Sequence, residues 1–132
     1  MKKKEIEYQE NADIVTKLLI SKTDCKVSDF CKMLVAKAPE LHSIVAKKRG
    51  DKKIGSVIMF RILREKNLVY MQGTCNVPYQ TMIDKGYMYI RLKDRGQTYN
   101  GVDIFDKVTI LTPKGQEYLM KKLIEWYGDN NE

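Results

Sequence analysis

The sequence contains few of the residues that build metal centres, disulfide frameworks or membrane spans. It has a single histidine, His42, and its three cysteines, at positions 25, 31 and 75, form no C-x-x-C pair. Structural zinc sites usually show closely spaced ligand pairs, so we expect no metal site and no cofactor. The number of cysteines is odd, and no apolar signal-peptide core follows Met1. We therefore expect free thiols and a location in a reducing cytoplasm. No apolar run approaches the roughly eighteen residues of a membrane span, so we expect no membrane insertion.

Signatures of catalysis are also scarce. Asp84, Asp103 and Asp106 could supply carboxylates, but no histidine or motif accompanies them to fix a metal or a general base. Aspartates that form turns are the simpler interpretation. The serines lie in no nucleophile motif. We therefore expect a protein that is not an enzyme.

Positive charge is abundant and concentrated in one stretch. The chain carries a net charge of +7 at pH 7. Eight basic and two acidic residues lie between Lys47 and Lys66, so this window alone carries +6. Such a charge favours an anionic partner, which could be nucleic acid, an anionic membrane surface or an acidic protein. Runs of charged residues often only keep an exposed face solvated. Because nearly all of the chain's excess positive charge is clustered here, we favour binding of an anionic partner.

The 132 residues predict one domain, residues 1–132, with flexible ends at 1–7 and 128–132. Apolar residues recur at helical spacing and predict helices at 8–21, 29–35, 40–49 and 54–66. Ser28 is the expected N-cap of the second helix, and Gly50 is the expected end of the third. A strand is predicted at 68–71, closed by Gly73, and a helical turn near Met82.

A long hairpin is predicted from Met88 to Leu111. Side chains in its first strand alternate between two faces. The predicted apolar face carries Met88, Ile90 and Leu92, and the predicted cationic and aromatic face carries Tyr87, Tyr89, Arg91 and Lys93. Asn100-Gly101 is a favoured two-residue turn. A regular turn would set Ile90 and Leu92 opposite Leu111 and Thr109, leaving Val108 and Ile110 on the cationic face. A one-residue bulge at Gly96 would switch the faces, so we expect an irregular tip.

The C-terminal segment predicts a helix with a clear start. Thr112 supplies a hydroxyl N-cap and Pro113 the first helical position. Gly115, in the first turn, indicates close packing against a neighbouring element. Trp126 shares the apolar face of this helix, so we expect it to anchor the core rather than to stack on bases.

Four short motifs in this sequence occur in an order typical of one known family. They are Leu63–Leu68, Pro78–Gln80, Ile83–Tyr87 and Thr112–Gln116. Together they resemble the successive motifs of the phage antirepressor protein KilAC domain, over about residues 26–123. The resemblance implies a winged-helix-like, DNA-binding module at the C-terminus of phage regulatory proteins that lift repression by a prophage repressor. The implied architecture is α+β, with four to five helices, a small antiparallel hairpin as the wing and a C-terminal helix.

Two features depart from the family pattern. The stretch 36–53 is longer than the usual link between the second helix and the next. No N-terminal regulatory domain precedes the motifs, so we expect a stand-alone module or a fragment.

A helix at 54–66 and a wing at 87–111 together predict a surface for double-stranded DNA in a bacterial host cell. Small polar and apolar side chains at a helix entrance can meet base edges, and cations can meet phosphates. The predicted DNA-binding residues are Lys47, Lys48, Arg49, Lys52, Lys53, Ser56, Arg61, Arg64, Lys66, Tyr89, Arg91, Lys93, Arg95 and Lys107.

The alternative is a protein-interaction module that uses the same surface. Its partner would be an acidic face of a prophage repressor, which it would inactivate, and DNA binding would be weak or incidental. Exposed tyrosines at 87 and 89 would suit this function equally well. The sequence shows no heptad pattern, so no oligomeric state is predicted.

Overall fold

The structure, a computed structural model, describes residues 23–128 of the chain. The helix predicted at 8–21, the predicted flexible start at 1–7 and residues 129–132 lie outside the described residues. The helices are α1 (Val27–Lys37), α2 (Pro39–Arg49), α3 (Ser56–Glu65), α4 (Gln80–Asp84) and α5 (Pro113–Tyr127). The strands are β1 (Cys25–Lys26), β2 (Val69–Gln72), β3 (Cys75–Pro78), β4 (Met88–Tyr99) and β5 (Val102–Leu111). The predicted α+β class, with small antiparallel sheets and a C-terminal helix, is confirmed.

The helices pack around one buried cluster. Its largest fully buried side chains include Phe30 and Leu34 from α1, Ile62 and Leu63 from α3, and Leu123 from α5. Buried positions recur at three-to-four spacing along these helices, as at Phe30 and Leu34, Met59 and Leu63, and Leu119 and Leu123, so one face of each helix meets the others. Within residues 23–128, no helix is long and apolar enough to cross a lipid bilayer.

The start of α1 differs from the prediction. The helix begins at Val27, and Lys26 occupies the N-cap position without a side-chain capping bond. Ser28 is therefore not the N-cap, because Lys26 is still extended in β1, where it pairs with Ile110. The chain passes directly from strand to helix, and Ser28 already lies in the first helical turn.

The long stretch 36–53 contains a complete helix. Pro39 begins α2 and Gly50 follows its end in a left-handed conformation with φ 76°, as predicted. Leu41, Val45 and Ala46 of this helix are buried. The stretch therefore adds a packed helix to the core.

Two antiparallel sheets lie beside the helices. One has the strand order β1-β5-β4, and the other is the hairpin of β2 and β3. The strand β3 has no counterpart among the sequence predictions. It pairs with β2 across the turn at Gly73, with Val69 opposite Pro78 and Gln72 opposite Cys75.

The β4–β5 hairpin has the predicted irregularity but not the predicted size. Arg91 pairs with Val108 and Thr98 with Asp103, and the register shifts between Asp94 and Thr98. The strand β4 holds two more residues than β5 within this interval, so the expectation of a one-residue bulge was wrong. Because side chains alternate with period two, a two-residue offset leaves the faces unswitched. Val108 and Ile110 therefore share the face of Arg91 and Tyr89.

Only the base of this hairpin is covered by the rest of the protein. Met88 is buried, whereas Leu92, on the same face of β4, is 59% exposed. The apolar face predicted for β4 is therefore a core face only at its first residues. We name the outer part of the hairpin, residues 92–107, the arm.

Helix α5 begins as predicted. The Thr112 hydroxyl accepts a hydrogen bond from Gly115 N at 2.9 Å and donates to the Gly86 carbonyl at 2.6 Å. Gly115 is in close contact with Tyr87, since a Cβ built on it would lie 1.8 Å from the Tyr87 carbonyl oxygen. Trp126 is partly buried at the edge of the core, with the Lys66 ammonium 5.2 Å from its ring.

Candidate nucleic-acid interface

Helix α3 presents a basic stripe to solvent. Met59, Ile62 and Leu63 are buried on one side of the helix. The opposite side carries Val57 and Arg61, which are exposed, and Arg64, which is half-buried. Arg61 and Arg64 therefore lie on the side of α3 away from Met59 and Leu63. Since residues at i, i+4 and i+7 share a helix face, these three side chains form one continuous stripe.

Arg64 is held in place by a neighbouring strand. Its Nη1 donates to Asn76 Oδ1 at 2.5 Å and lies 3.8 Å from Met71 Sδ. A guanidinium has five N–H donors, and its partner Asn76 is neutral, so Arg64 keeps its charge available for a ligand. Within residues 23–128, Arg61 forms no ion pair.

Exposed lysines lie at the end of α2 and in the loop before α3. Lys47 and Lys48 are exposed in the last turn of α2, and Lys52 and Lys53 are exposed in the loop that leads to α3. The loop is anchored at its end, because Ile54 N donates to His42 Nε2 at 3.0 Å.

The start of α3 borders a cleft of about 290 Å³ next to α1. Ser28 and Lys32 line it from α1, and Lys53 and Ser56 line it from the loop and from α3. Ser56 is half-buried there. The positive end of the α3 dipole adds to the positive charge of these lysines.

Two predicted DNA-binding residues at the helix ends are engaged inside the protein. The Arg49 guanidinium donates to both carboxylate oxygens of Glu65, at 2.9 and 3.0 Å, and to the Tyr127 hydroxyl at 3.1 Å. Lys66 lies over the Trp126 ring. The Arg49 side chain is only 15% exposed. Its charge therefore stabilises the contact between the ends of α2 and α3.

A second cleft joins α3 to the base of the arm. It is lined by Phe60 of α3, by Thr74 and Asn76 near β3, and by residues 106–109 of β5. Asn76 also accepts a hydrogen bond through its backbone carbonyl from Thr109 Oγ1, at 2.7 Å. The strand β3 thus connects the basic helix to the hairpin.

The predicted wing residues fall into two groups. Arg91 and Lys93 are exposed near the base. Arg95 is paired with Asp106 at 2.6 Å, and Lys107 donates to Gln72 Oε1. Each of these two cations is therefore partnered within the protein.

The two tyrosines predicted on the outer face of β4 are both engaged. Tyr89 donates its hydroxyl to Asp24 Oδ2 at 2.5 Å, which raises the pKa of Tyr89. The expectation that Tyr87 is exposed was wrong. Its ring stacks on Tyr118 with centroids 4.1 Å apart, because Gly115 lets α5 approach it closely.

Sequence reasoning missed several residues of this surface. Val57 is 69% exposed at the N-terminal end of the basic stripe, and its helical spacing to Arg61 was a usable signal. Thr74 and Asn76 belong to the strand β3 and its turn, which carry no clear periodicity. Their position next to α3 follows from the pairing of β3 with β2.

The family of the chain follows from comparison with known proteins. The family model described as "Phage antirepressor protein KilAC domain" matches residues 2–126. The chain therefore belongs to this family, and the resemblance noted in the sequence is confirmed.

A curated relative is also similar to this chain. It is the "SPbeta prophage-derived putative antirepressor protein YoqD" of Bacillus subtilis (strain 168), which is 34% identical over 89 residues. The matched segment is 67% of this chain but only 32% of the relative, so the chain spans about a third of that protein's length. No solved structure matches the chain.

Proposed function

We propose that this chain binds double-stranded DNA as a winged-helix module of a phage regulator. Helix α3 would lie in the major groove, with Arg61 and Arg64 directed at base edges and phosphates. The observation that carries this proposal is the solvent-facing stripe of α3, whose two arginines form no salt bridge within the described residues. Such a function acts on DNA in the cytoplasm of the host cell.

Phosphate contacts come from both sides of the turn at Gly50. Lys47 and Lys48 precede it and Lys52 and Lys53 follow it, all with exposed side chains. Lys52 and Lys53 lie before the start of α3, and Lys47 and Lys48 lie in the turn of α2 that Arg49 joins to the end of α3. From these two positions they can contact phosphates and fix the register of the helix. The alternative is that these lysines only keep an exposed surface solvated. It does not explain why Lys52 and Lys53 lie in a loop that is anchored by His42 beside the start of α3.

The sheet supports a flanking contact. The strand order β1-β5-β4 places the hairpin next to the helices, and hydrogen bonds through Asn76 join it to α3. Arg91, at the base of the hairpin, is the residue that would reach the neighbouring phosphates. Arg49 and Arg95 are not part of the proposed interface, because each already pairs with a carboxylate.

A salt titration tests this function. Binding of the chain to a random-sequence duplex is measured at several salt concentrations by fluorescence anisotropy. With six to eight phosphate contacts, log K should fall with log salt at a slope of roughly −5 to −7. The double variant Lys52→Ala/Lys53→Ala should reduce the slope by about two. Arg61→Ala/Arg64→Ala should weaken binding and reduce any preference among sequences.

A matched control uses a lysine on another element. Lys121, on α5, is exposed, and its salt bridge among residues 23–128 is with Glu117, at 3.5 Å. Lys121→Ala should leave both affinity and slope unchanged. Undetectable binding of wild type at low salt, or a slope near zero, would disprove the DNA interface.

A second function is supported by exposed apolar side chains near the stripe. Met71 and Tyr79 are 49% and 38% exposed, and Met71 touches Arg64. Aromatic, methionine and arginine side chains are enriched at protein interfaces. The same surface would then bind an acidic face of a repressor. A complex with a purified prophage repressor that is lost in Arg61→Ala/Arg64→Ala, with no detectable binding of wild type to the duplex, would favour this function over DNA binding.

A further inference from the structure

The arm has no net charge, unlike the rest of the chain. Between Leu92 and Lys107, three basic residues are balanced by three acidic ones. The chain as a whole carries +7, so its entire excess of positive charge lies outside the arm. Affinity for a polyanion rests on an excess of cations. The outer hairpin is therefore suited to a partner other than nucleic acid.

The arm also exposes large apolar side chains. Tyr99 and Val102, next to the turn, are 71% and 66% exposed, and Phe105 is 47% exposed. A two-stranded ribbon is only marginally stable in water without further covering. Exposed apolar side chains on such a ribbon mark an interaction surface.

Among residues 23–128, no strand pairs with the outer edge of β5 along the arm. The short strand β1 pairs with β5 only at Ile110 and Leu111. From Val102 to Thr109, no strand of the described chain pairs with this edge. Its backbone N–H and C=O groups are thus available to another strand.

The sequence of this edge is complementary to itself. Residues 102–108 read Val-Asp-Ile-Phe-Asp-Lys-Val. When two copies run antiparallel about a two-fold axis at Phe105, each Asp103 lies opposite a Lys107, and Val102 lies opposite Val108. Asp103, Phe105 and Lys107 share one face of the strand by alternation, and all three are exposed.

We propose that the chain forms a two-fold dimer by pairing the open β5 edges of two copies, centred on Phe105. The two hairpins become one four-stranded sheet, with opposite charges and a Phe105 pair across the new junction. The Lys107 ammonium has three N–H donors, so it can keep Gln72 and also meet the carboxylate. This interface is independent of the DNA contacts of α3.

Exchanging the charges of Asp103 and Lys107 tests the proposed pairing of the two β5 edges. The test includes a variant and a mixture that should restore the dimer. In Asp103→Lys, each copy carries lysines at both positions, and in Lys107→Asp each copy carries aspartates at both. Each variant alone should dimerise about tenfold or more weakly than wild type, because like charges then oppose each other. An equimolar mixture should form a heterodimer, since every lysine then faces an aspartate. The double variant Asp103→Lys/Lys107→Asp should dimerise like wild type.

Sedimentation equilibrium of the 132-residue chain measures these states. Lys32→Asp makes the same charge change on α1 and should leave the dimer intact. Circular dichroism checks that each variant is folded. A wild-type chain that remains monomeric at roughly 100 μM, where a micromolar dimer would be filled, overturns the proposal and assigns the arm to an unlike protein. A mixture that yields no heterodimer overturns it too.

Discussion

Arg49 and Glu65 form a two-pronged ion pair that joins the end of α2 to the end of α3. Nη1 lies 2.9 Å from Oε1, and Nη2 lies 3.0 Å from Oε2. Nη1 also donates to the Tyr127 hydroxyl at 3.1 Å, so one guanidinium connects three helices. The hydrogen bonds raise the pKa of Arg49 and lower the pKa of Glu65.

Replacing Glu65 with glutamine should destabilise the fold. The Glu65 side chain is 48% exposed, so solvent screening limits the expected loss to about 1 kcal/mol. Urea denaturation of Glu65→Gln measures it. Glu125→Gln is the matched control, because its exposed pair with Lys122 should contribute less than about 0.5 kcal/mol. Equal losses in the two variants would contradict a special role for the Arg49 pair.

The contribution of Glu65 should also depend on pH. Its pKa in the folded chain lies below the ordinary value of 4.5. The folded state therefore favours the ionised carboxylate, and the stabilisation is complete above that value and is lost as pH falls through the folded pKa. The difference in free energy of unfolding between wild type and Glu65→Gln should shrink accordingly. A difference that stays constant down to the folded pKa would contradict this.

Adding a single methyl group at Gly115 should damage the packing of α5. An alanine Cβ would lie 1.8 Å from the carbonyl oxygen of Tyr87, and a backbone atom cannot move aside cheaply. We expect Gly115→Ala to lower the free energy of unfolding by about 3 kcal/mol. Gly55→Ala is the control, since nothing lies within 4 Å of that site, and it should cost less than about 1 kcal/mol. Similar values for both would refute the close approach.

Thr112 both caps α5 and ties it to the preceding turn. Thr112→Val keeps the shape but removes the hydroxyl that accepts from Gly115 N and donates to the Gly86 carbonyl. The expected loss is about 1–2 kcal/mol in thermal or urea denaturation. Thr112→Ser keeps the hydroxyl and should retain most of the stability. If serine is as destabilising as valine, the hydroxyl is not the source of the effect.

His42 should make the loop before α3 sensitive to acid. Its Nε2 accepts from Ile54 N, so the ring is neutral, and burial followed by the charge of Lys53 lowers its pKa below 6.5. A lowered folded pKa means that the stabilisation is complete above 6.5 and decreases as pH falls through the folded value. Wild type should lose more stability than His42→Gln over this range. Parallel pH curves for the two proteins would exclude His42 as the titrating group.

Local patterns in the sequence were sufficient for the helices. The start of α5 at Thr112, the end of α2 at Gly50 and the stripe of α3 with Arg61 all follow from residues within a turn or two of each other. These features need no knowledge of distant contacts.

Features that depend on distant residues could not be derived in this way. Arg49 is basic by sequence, but its partner Glu65 is sixteen residues away. The strand β3 has only four residues, and its pairing with β2 defines it. Gly96, with φ 72°, marked the site of the bulge, but its size is set by the pairing of Met88 with Leu111 at the base.

The hydrogen bonds of Asn76 join two parts of the molecule that lie far apart in the sequence. Its side chain fixes the guanidinium of Arg64, and its backbone carbonyl accepts from Thr109 at the root of the hairpin. A ligand that bends the hairpin pulls on the backbone of the same residue whose side chain orients the arginine. The reach of α3 and the angle of the hairpin are thus set together, so neither can adapt to a ligand alone.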